Sequence, residues 1–308
     1  MFEQWRTRGY AIEENILHTD ALVDQLETQF AHGSPTIDWG ADRRLEFPSH
    51  VFPALNDLAV DSRLLCTAKR LLETENIRLI QCVAWPKYGN GDGNSDRRSA
   101  SNRDQRMHMD YGNNTLLHPP PWHETPQIVS AIVYLSDCQD TGGGTCVVAR
   151  RGDNDPAYRW PYVHMPGVGG REFFNDRSSA EKMMRRCDPI GWRIRKLLYQ
   201  REILLSPTPG SVLWYRHDTW HRGTPVRRGK IRYAVNMAWV RTEVAGVCQW
   251  NPGFARRLYE PFMQRYIASL DGQQLKSLGF PSKEHPYWTR STRHAVNVRY
   301  GIDLYSRL

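Results

Sequence analysis

The residues with the most to say about chemistry lie in two short stretches. His108-Met109-Asp110 places an imidazole and a carboxylate two positions apart. On an extended chain such residues face the same side and converge on one point. A third ligand from a distant strand completes a two-histidine, one-carboxylate face. That face leaves metal positions open for a co-substrate and dioxygen. Alone the pair is a weak signal, because 11 histidines and 33 acids spread over 308 residues give about one such pair by chance. His18-Thr19-Asp20 is a rival pair, but it stands where a helix begins, and its Thr19 or Asp20 reads as the helix cap.

The second stretch supplies the missing ligand. Trp220-His221-Arg222-Gly223 follows an apolar run, Val212 to Arg216, and Arg232 stands eleven residues beyond His221. The segment around Arg232 alternates. Arg232, Ala234, Asn236 and Ala238 fall on one face, and Ile231, Tyr233, Val235, Met237 and Trp239 on the other. The bulky face suits packing beneath helices. The face of small residues with one arginine suits a cavity wall, where a planar, permanently charged fork grips a carboxylate. His217 competes with His221 as the distal ligand, but the same eleven-residue step from His217 lands on Arg228, inside the turn Arg227 to Lys230.

These residues need a β scaffold, and the pattern provides one. Period-two or continuous apolar runs predict strands over 77–85, 107–111, 127–135, 145–149, 212–216 and 231–241. Helical spacing follows Asp20 and covers Leu64 to Leu72. Helical character returns over 179–200, broken at Pro189 and Gly191, and over 254–270. Residues 89–106 are dense in Gly, Asn, Asp, Ser and Arg, and predict a mobile loop placed to close over the site. Short strands between helices predict a mainly β fold, a jelly-roll core with flanking helices. The expected organisation is one domain over 1–308. A helical cap occupies 1–76, the core 77–241 carries an insertion at 150–207, and a helical, Pro- and aromatic-rich segment fills 242–308.

Composition narrows the class. Hydrophobic residues make up 40% and charged residues 24%, a globular balance. No apolar run reaches a membrane span, so a cytoplasmic protein with no membrane partner is the expectation. The six cysteines are scattered without a C-x-x-C pair and read as reduced thiols.

Together these residues resemble the phytanoyl-CoA dioxygenase-like branch of the Fe(II)/2-oxoglutarate-dependent oxygenases. The resemblance spans about residues 1 to 241. It rests on Gly9-Tyr10, Met107-His108-Met109-Asp110-Tyr111, Tyr134-Leu135-Ser136-Asp137 followed by Gly142-Gly143-Gly144-Thr145, Pro209-Gly210-Ser211, Trp220-His221-Arg222-Gly223 and Arg232. It implies a double-stranded β-helix, Fe(II) on His108, Asp110 and His221, and a carboxylate of 2-oxoglutarate on Arg232. Lys87, Tyr134 and, after them, Gln81 or Trp85 are further co-substrate candidates. The stretch Gly142-Gly143-Gly144-Thr145 departs from the Glu-Asn-Gly that the family often carries there. Related halogenases replace the metal carboxylate with a small residue. Asp110 is present here, so the implied reaction consumes 2-oxoglutarate and O2 and hydroxylates or otherwise oxidises a substrate C–H bond.

The expected substrate is a small organic molecule with an acidic group. Arg97, Arg98, Arg103, Arg106, Arg150, Arg151, Arg171 and Arg177 crowd the segments near the site, together with Trp122, Tyr158, Trp160 and Tyr162. The competing expectation pairs these arginines with Asp92, Asp96, Asp104, Asp153 and Asp155. Two other functions stand beside the oxygenase: the net charge of +8 also fits a nucleic-acid-binding or nucleic-acid-modifying protein, and a jelly roll without chemistry is the third.

Overall fold

The computed structural model describes residues 1–30, 43–47, 49, 51–89, 102–110, 117, 126–152, 154–158, 164–168, 170–244, 261–272, 275 and 280–308. Eight strands among them form two antiparallel sheets: β1 (Tyr10–Glu13), β2 (Ile77–Tyr88), β3 (Ile128–Tyr134), β4 (Thr145–Val147), β5 (Ile203–Leu205), β6 (Val212–Arg216), β7 (His221–Gly223) and β8 (Ile231–Arg241). The larger sheet has the order β1-β6-β3-β8-β2, and the smaller β5-β4-β7. β3 and β6 are almost wholly apolar because both of their faces are covered.

The two faces of the larger sheet meet different partners. Tyr233, Val235, Met237 and Trp239 of β8 join Val129, Val133 and Trp214 in one core with the helices Asp20–Phe30, Pro53–Ala59 and Ser62–Leu72. This is the bulky face expected to lie beneath helices. The opposite face turns toward the smaller sheet, where Ile132, Tyr134, Leu213, Tyr215 and Ala234 pack with Val147. Arg232 shares that inner face, directly across from Lys87 of β2.

The insertion is a helical hairpin, Arg177–Cys187 and Pro189–Arg201. Asp188 separates the two, accepting from the Gly191 N–H with Pro189 at the first helical position, so the expected break is a cap. A capped helix, Arg290–Tyr300, packs near the C-terminus through Val296 and Tyr300 in one cluster with Leu270, Trp288 and Leu304.

Several elements differ from expectation. Residues 107–110 make one isolated bridge, His108 to His221, instead of a strand. β1, β5 and β7 were not expected, being three or four residues long with no room for a period to show. The helix Phe2–Arg8 was also unexpected; it ends on Gly9 in the left-handed region (φ 89). The expected helix over 254–270 is helical from Pro261 to Ser269, and residues 254–260 lie outside the described residues. So do 90–101, which hold most of the expected loop. The remainder, 102–106, is docked beside β7 and its extension, with Asn102, Gln105 and Arg106 buried. Gln105 donates its N–H to the Gly223 carbonyl and accepts the Gly223 N–H on its side chain, and the Asn102 side chain bonds both the N–H and the carbonyl of Val226. Polar composition made this stretch look like a loop; its polar side chains serve backbone groups at a sheet edge. The described cysteines carry no disulfide, and Cys248 lies outside them.

Candidate metal centre

The bridge between His108 and His221 brings two distant segments together. Each residue's N–H donates to the other's carbonyl at 2.9 Å, and the Asp110 N–H donates to the His217 carbonyl at 3.1 Å. One ligand atom from each of His108, Asp110 and His221 then falls within 4.8 Å of the others, a group able to hold a metal ion. Asp110 Oδ1 lies 3.6 Å from His221 Nε2 and 3.9 Å from His108 Nε2. The imidazole centroids are 4.4 Å apart.

The remaining polar atoms of the three side chains are committed elsewhere. His108 Nδ1 meets the Arg106 carbonyl at 3.0 Å, and His221 Nδ1 meets the Thr219 carbonyl at 2.9 Å. A carbonyl only accepts, so both Nδ1 atoms carry a proton, and the Nε2 atoms are the ones turned toward Asp110. The Tyr215 hydroxyl donates to Asp110 Oδ2 at 2.6 Å, leaving Oδ1 toward the histidines. Burial opposes the charge on Asp110, but His221, His217, His108 and the Tyr215 bond outweigh it and hold the carboxyl at about 2. Burial, then His221, pushes His108 well below its ordinary value. The donor set is one carboxylate and two imidazoles, which fits a first-row divalent ion.

His217 is buried beside this group but points elsewhere, its Nδ1 2.6 Å from Ser130 Oγ; burial depresses it to about 4. His18 is exposed at the start of its helix. Neither takes part in the cluster.

A buried cationic pair lies on the inner face of the larger sheet, where Arg232 stands across from Lys87. Arg232 is 6% exposed and, among the described residues, has no acidic partner and no hydrogen bond; its Nε is buried and unsatisfied. Burial lowers its affinity for the proton, with Tyr134 and Cys138 opposing. Trp85 stands 5.8 Å from the guanidinium. Tyr134 contributes a hydroxyl bonded to Thr145 Oγ1 at 2.6 Å. Lys87, opposite Arg232, donates to the Thr224 carbonyl at 2.8 Å, and burial, then Arg232, depresses it to about 7. Gln81 shares the inner face but sits opposite Ala238, well along the sheet from Arg232. Arg228, by contrast, is exposed.

The triple glycine makes room for Arg232. Gly142 and Gly143 are both left-handed (φ 69 and 72), and a Cβ on Gly143 would stand 2.8 Å from Val226 and 3.4 Å from Arg232.

The arginines expected to meet an acidic substrate are mostly committed. Arg150 pairs with Asp218 at 2.8 Å, Arg171 with Asp188 at 2.9 Å and Arg177 with Asp104 at 3.4 Å. Arg106 donates to Asn175 and stacks on Phe173, while Arg103 and Arg151 are exposed. Tyr158 is a buried core residue. Arg97, Arg98, Trp122, Trp160 and Tyr162 lie outside the described residues. The acidic partners Asp218 and Asp188 are distant in sequence from the arginines they neutralise, so neighbour-based reasoning missed them. Tyr215 was missed because an apolar strand hides a phenol among core aromatics.

Two packed antiparallel sheets dressed with helices, with a His-Asp-His group on the inner side, define a jelly-roll fold. Solved structures bear out the fold. The chain is similar to the non-heme alpha-ketoglutarate-dependent carbocyclase SnoK from nogalamycin biosynthesis, with a TM-score of 0.53 at 15% identity over 83% of this chain and 88% of that one. It is also similar to EvdO2 from Micromonospora carbonacea var. aurantiaca, with a TM-score of 0.51 at 15% identity over 80% of this chain and 92% of that one. No family model matches the sequence, and no curated protein matches it. Among the described residues, no helix is long and apolar enough to cross a membrane.

Proposed function

We propose that this protein is an Fe(II)- and 2-oxoglutarate-dependent oxidoreductase acting on a C–H bond of a small organic substrate. One observation carries the reading: His108, Asp110 and His221 offer ligand atoms within 4.8 Å of one another, and the inner face of the larger sheet carries a buried arginine, Arg232, that has no acidic partner among the described residues. A buried cation without a counter-charge is costly, and a ligand carboxylate relieves the cost.

In this reading His108, Asp110 and His221 hold the metal. Arg232 receives the distal carboxylate of 2-oxoglutarate, with Lys87 as a second cation beside it and Tyr134 lining the same end. Bound there, iron with 2-oxoglutarate and O2 supplies oxidative decarboxylation to succinate and CO2, coupled to hydroxylation or another oxidation of the substrate. The protein's own share is placement. Tyr215 restricts the carboxylate to one oxygen, and the Arg106 and Thr219 carbonyls fix the imidazole planes. The hydrophobic cluster of Met107, Met109, Trp220 and Val148 shields the ligands from water. Arg150, Arg171 and Arg177 are already paired with Asp218, Asp188 and Asp104, so the substrate needs no acidic group to meet them.

The test is succinate formation from 2-oxoglutarate by the purified protein with Fe(II) in air, without added substrate. The reading predicts slow turnover in the wild type and none in Asp110→Ala or His221→Ala. Equal succinate from all three proteins would refute it.

A further inference from the structure

Both histidines of the metal centre are backed by the same arrangement, and the insertion supplies its outer part. The Arg106 carbonyl that accepts the His108 Nδ1–H belongs to the same peptide unit as the Met107 N–H. That N–H donates to the Tyr199 hydroxyl at 2.9 Å, and Tyr199 donates onward to Glu181 Oε1 at 2.9 Å. On the other ligand, the Thr219 carbonyl that accepts the His221 Nδ1–H shares its peptide unit with the Trp220 N–H. That N–H donates to the Tyr158 hydroxyl at 3.1 Å, and Tyr158 donates to the Val148 carbonyl. In each case a tyrosine hydroxyl holds one end of a peptide plane and the ligand's imidazole holds the other.

A peptide unit is planar and stiff, so fixing its N–H fixes the direction of its carbonyl. The carbonyl then sets the ring plane of the histidine two residues from it. Hydrogen bonds in series also polarise one another in a common direction. Here each donor points away from the metal, from imidazole N–H to carbonyl, from amide N–H to phenol, from phenol to carboxylate or carbonyl. The shift of electron density runs toward Nε2 and makes the imidazole a stronger ligand, as a direct carboxylate partner does. The His108 chain ends on an anion, itself gripped by Arg195 at 2.6 Å. Arg195 also donates to the Met107 carbonyl at 3.0 Å, so both backbone groups of Met107 are held from the hairpin. Burial pushes the Tyr199 hydroxyl up to about 12, so it stays a neutral donor.

We propose that Tyr199 and Tyr158, with Glu181 behind Tyr199, are positioning residues that orient and strengthen His108 and His221 through the intervening peptide units, which makes the 150–207 insertion part of the metal centre. The proposal rests on the metal reading above.

The test is Co(II) binding to chelator-treated protein, followed by titration and by the cobalt absorption spectrum, alongside melting of the metal-free form. Tyr199→Phe and Tyr158→Phe each remove one hydroxyl, and Glu181→Gln keeps an acceptor while removing the charge. Loss of an outer partner of a ligating histidine weakens metal binding by roughly 10- to 100-fold. Tyr199→Phe is expected in that range, Tyr158→Phe lower in it, and Glu181→Gln below Tyr199→Phe, each with an altered cobalt spectrum. Arg201→Gln breaks an ion pair with Asp155 on the same hairpin; it is expected to lower the melting temperature without weakening cobalt binding. If wild-type protein takes up no Co(II), the metal reading fails and this proposal with it. If the wild type binds but the tyrosine and Glu181 variants bind equally well, with an unchanged spectrum, the relay alone is overturned. Should either tyrosine variant fail to fold, Glu181→Gln decides.

Discussion

Replacing Arg232 by methionine separates a ligand-binding arginine from a structural one. The side chain is buried and lacks an acidic partner or hydrogen bond among the described residues. A structural arginine normally has both, as Arg150 does with Asp218. Removing one partner of a buried charged contact costs about 2–5 kcal/mol. At about 1.4 kcal/mol per tenfold, 2-oxoglutarate binding weakens by at least about 30-fold. The metal-free protein should behave in the opposite way. Burial depresses the arginine's proton affinity, so folding disfavours the cation at every pH below that range. An apolar side chain of similar length relieves the cost, and the apo melting temperature should not fall. The assay is calorimetric titration of 2-oxoglutarate into Mn(II)-loaded protein, with exposed Arg228→Met as comparator. Unchanged affinity in Arg232→Met, or a loss as large in Arg228→Met, would refute the argument. A marked fall in apo stability would show that Arg232 has a structural partner instead.

His217→Gln is expected to keep metal uptake while His221→Gln loses it, because only His221 contributes to the ligand group; metal analysis after dialysis checks this. Tyr215→Phe frees Asp110 Oδ2 and should weaken metal binding about tenfold, measured by competition with a chelator; an unchanged affinity would remove Tyr215 from the centre. Lys87 is held at about 7 from an ordinary 10.5. The unfolded chain therefore binds more protons than the folded one between those values, and stability rises with pH across about 7 to 10.5. Lys87→Met should flatten that rise in the apo protein, read by denaturant melts at several pH values, and should also weaken 2-oxoglutarate binding.

Much of this was legible because periodicity survives in long elements. Alternation along 231–241 gave both the helix-covered face and the Arg232 face, and both hold in the structure. His108, Asp110 and His221 stood out by residue type and spacing, and the structure brings one ligand atom of each within 4.8 Å of the others. β5 and β7 were not readable, since three residues carry no period. Residues 102–106 are irregular chain as composition suggested, but composition does not show that Asn102 and Gln105 dock it at a sheet edge through side-chain bonds to backbone groups. The tyrosines behind the ligands were hidden because Tyr158, Tyr199 and Tyr215 look like core aromatics, and only the partner of each hydroxyl sets them apart.

The most direct measurement of the central claim is the visible spectrum of the protein mixed with Fe(II) and then 2-oxoglutarate without oxygen. The account predicts a weak charge-transfer band that appears only when both are present, saturates at one iron per chain, and is absent from Asp110→Ala and His221→Ala. No band and no iron uptake by the folded wild-type protein would contradict it.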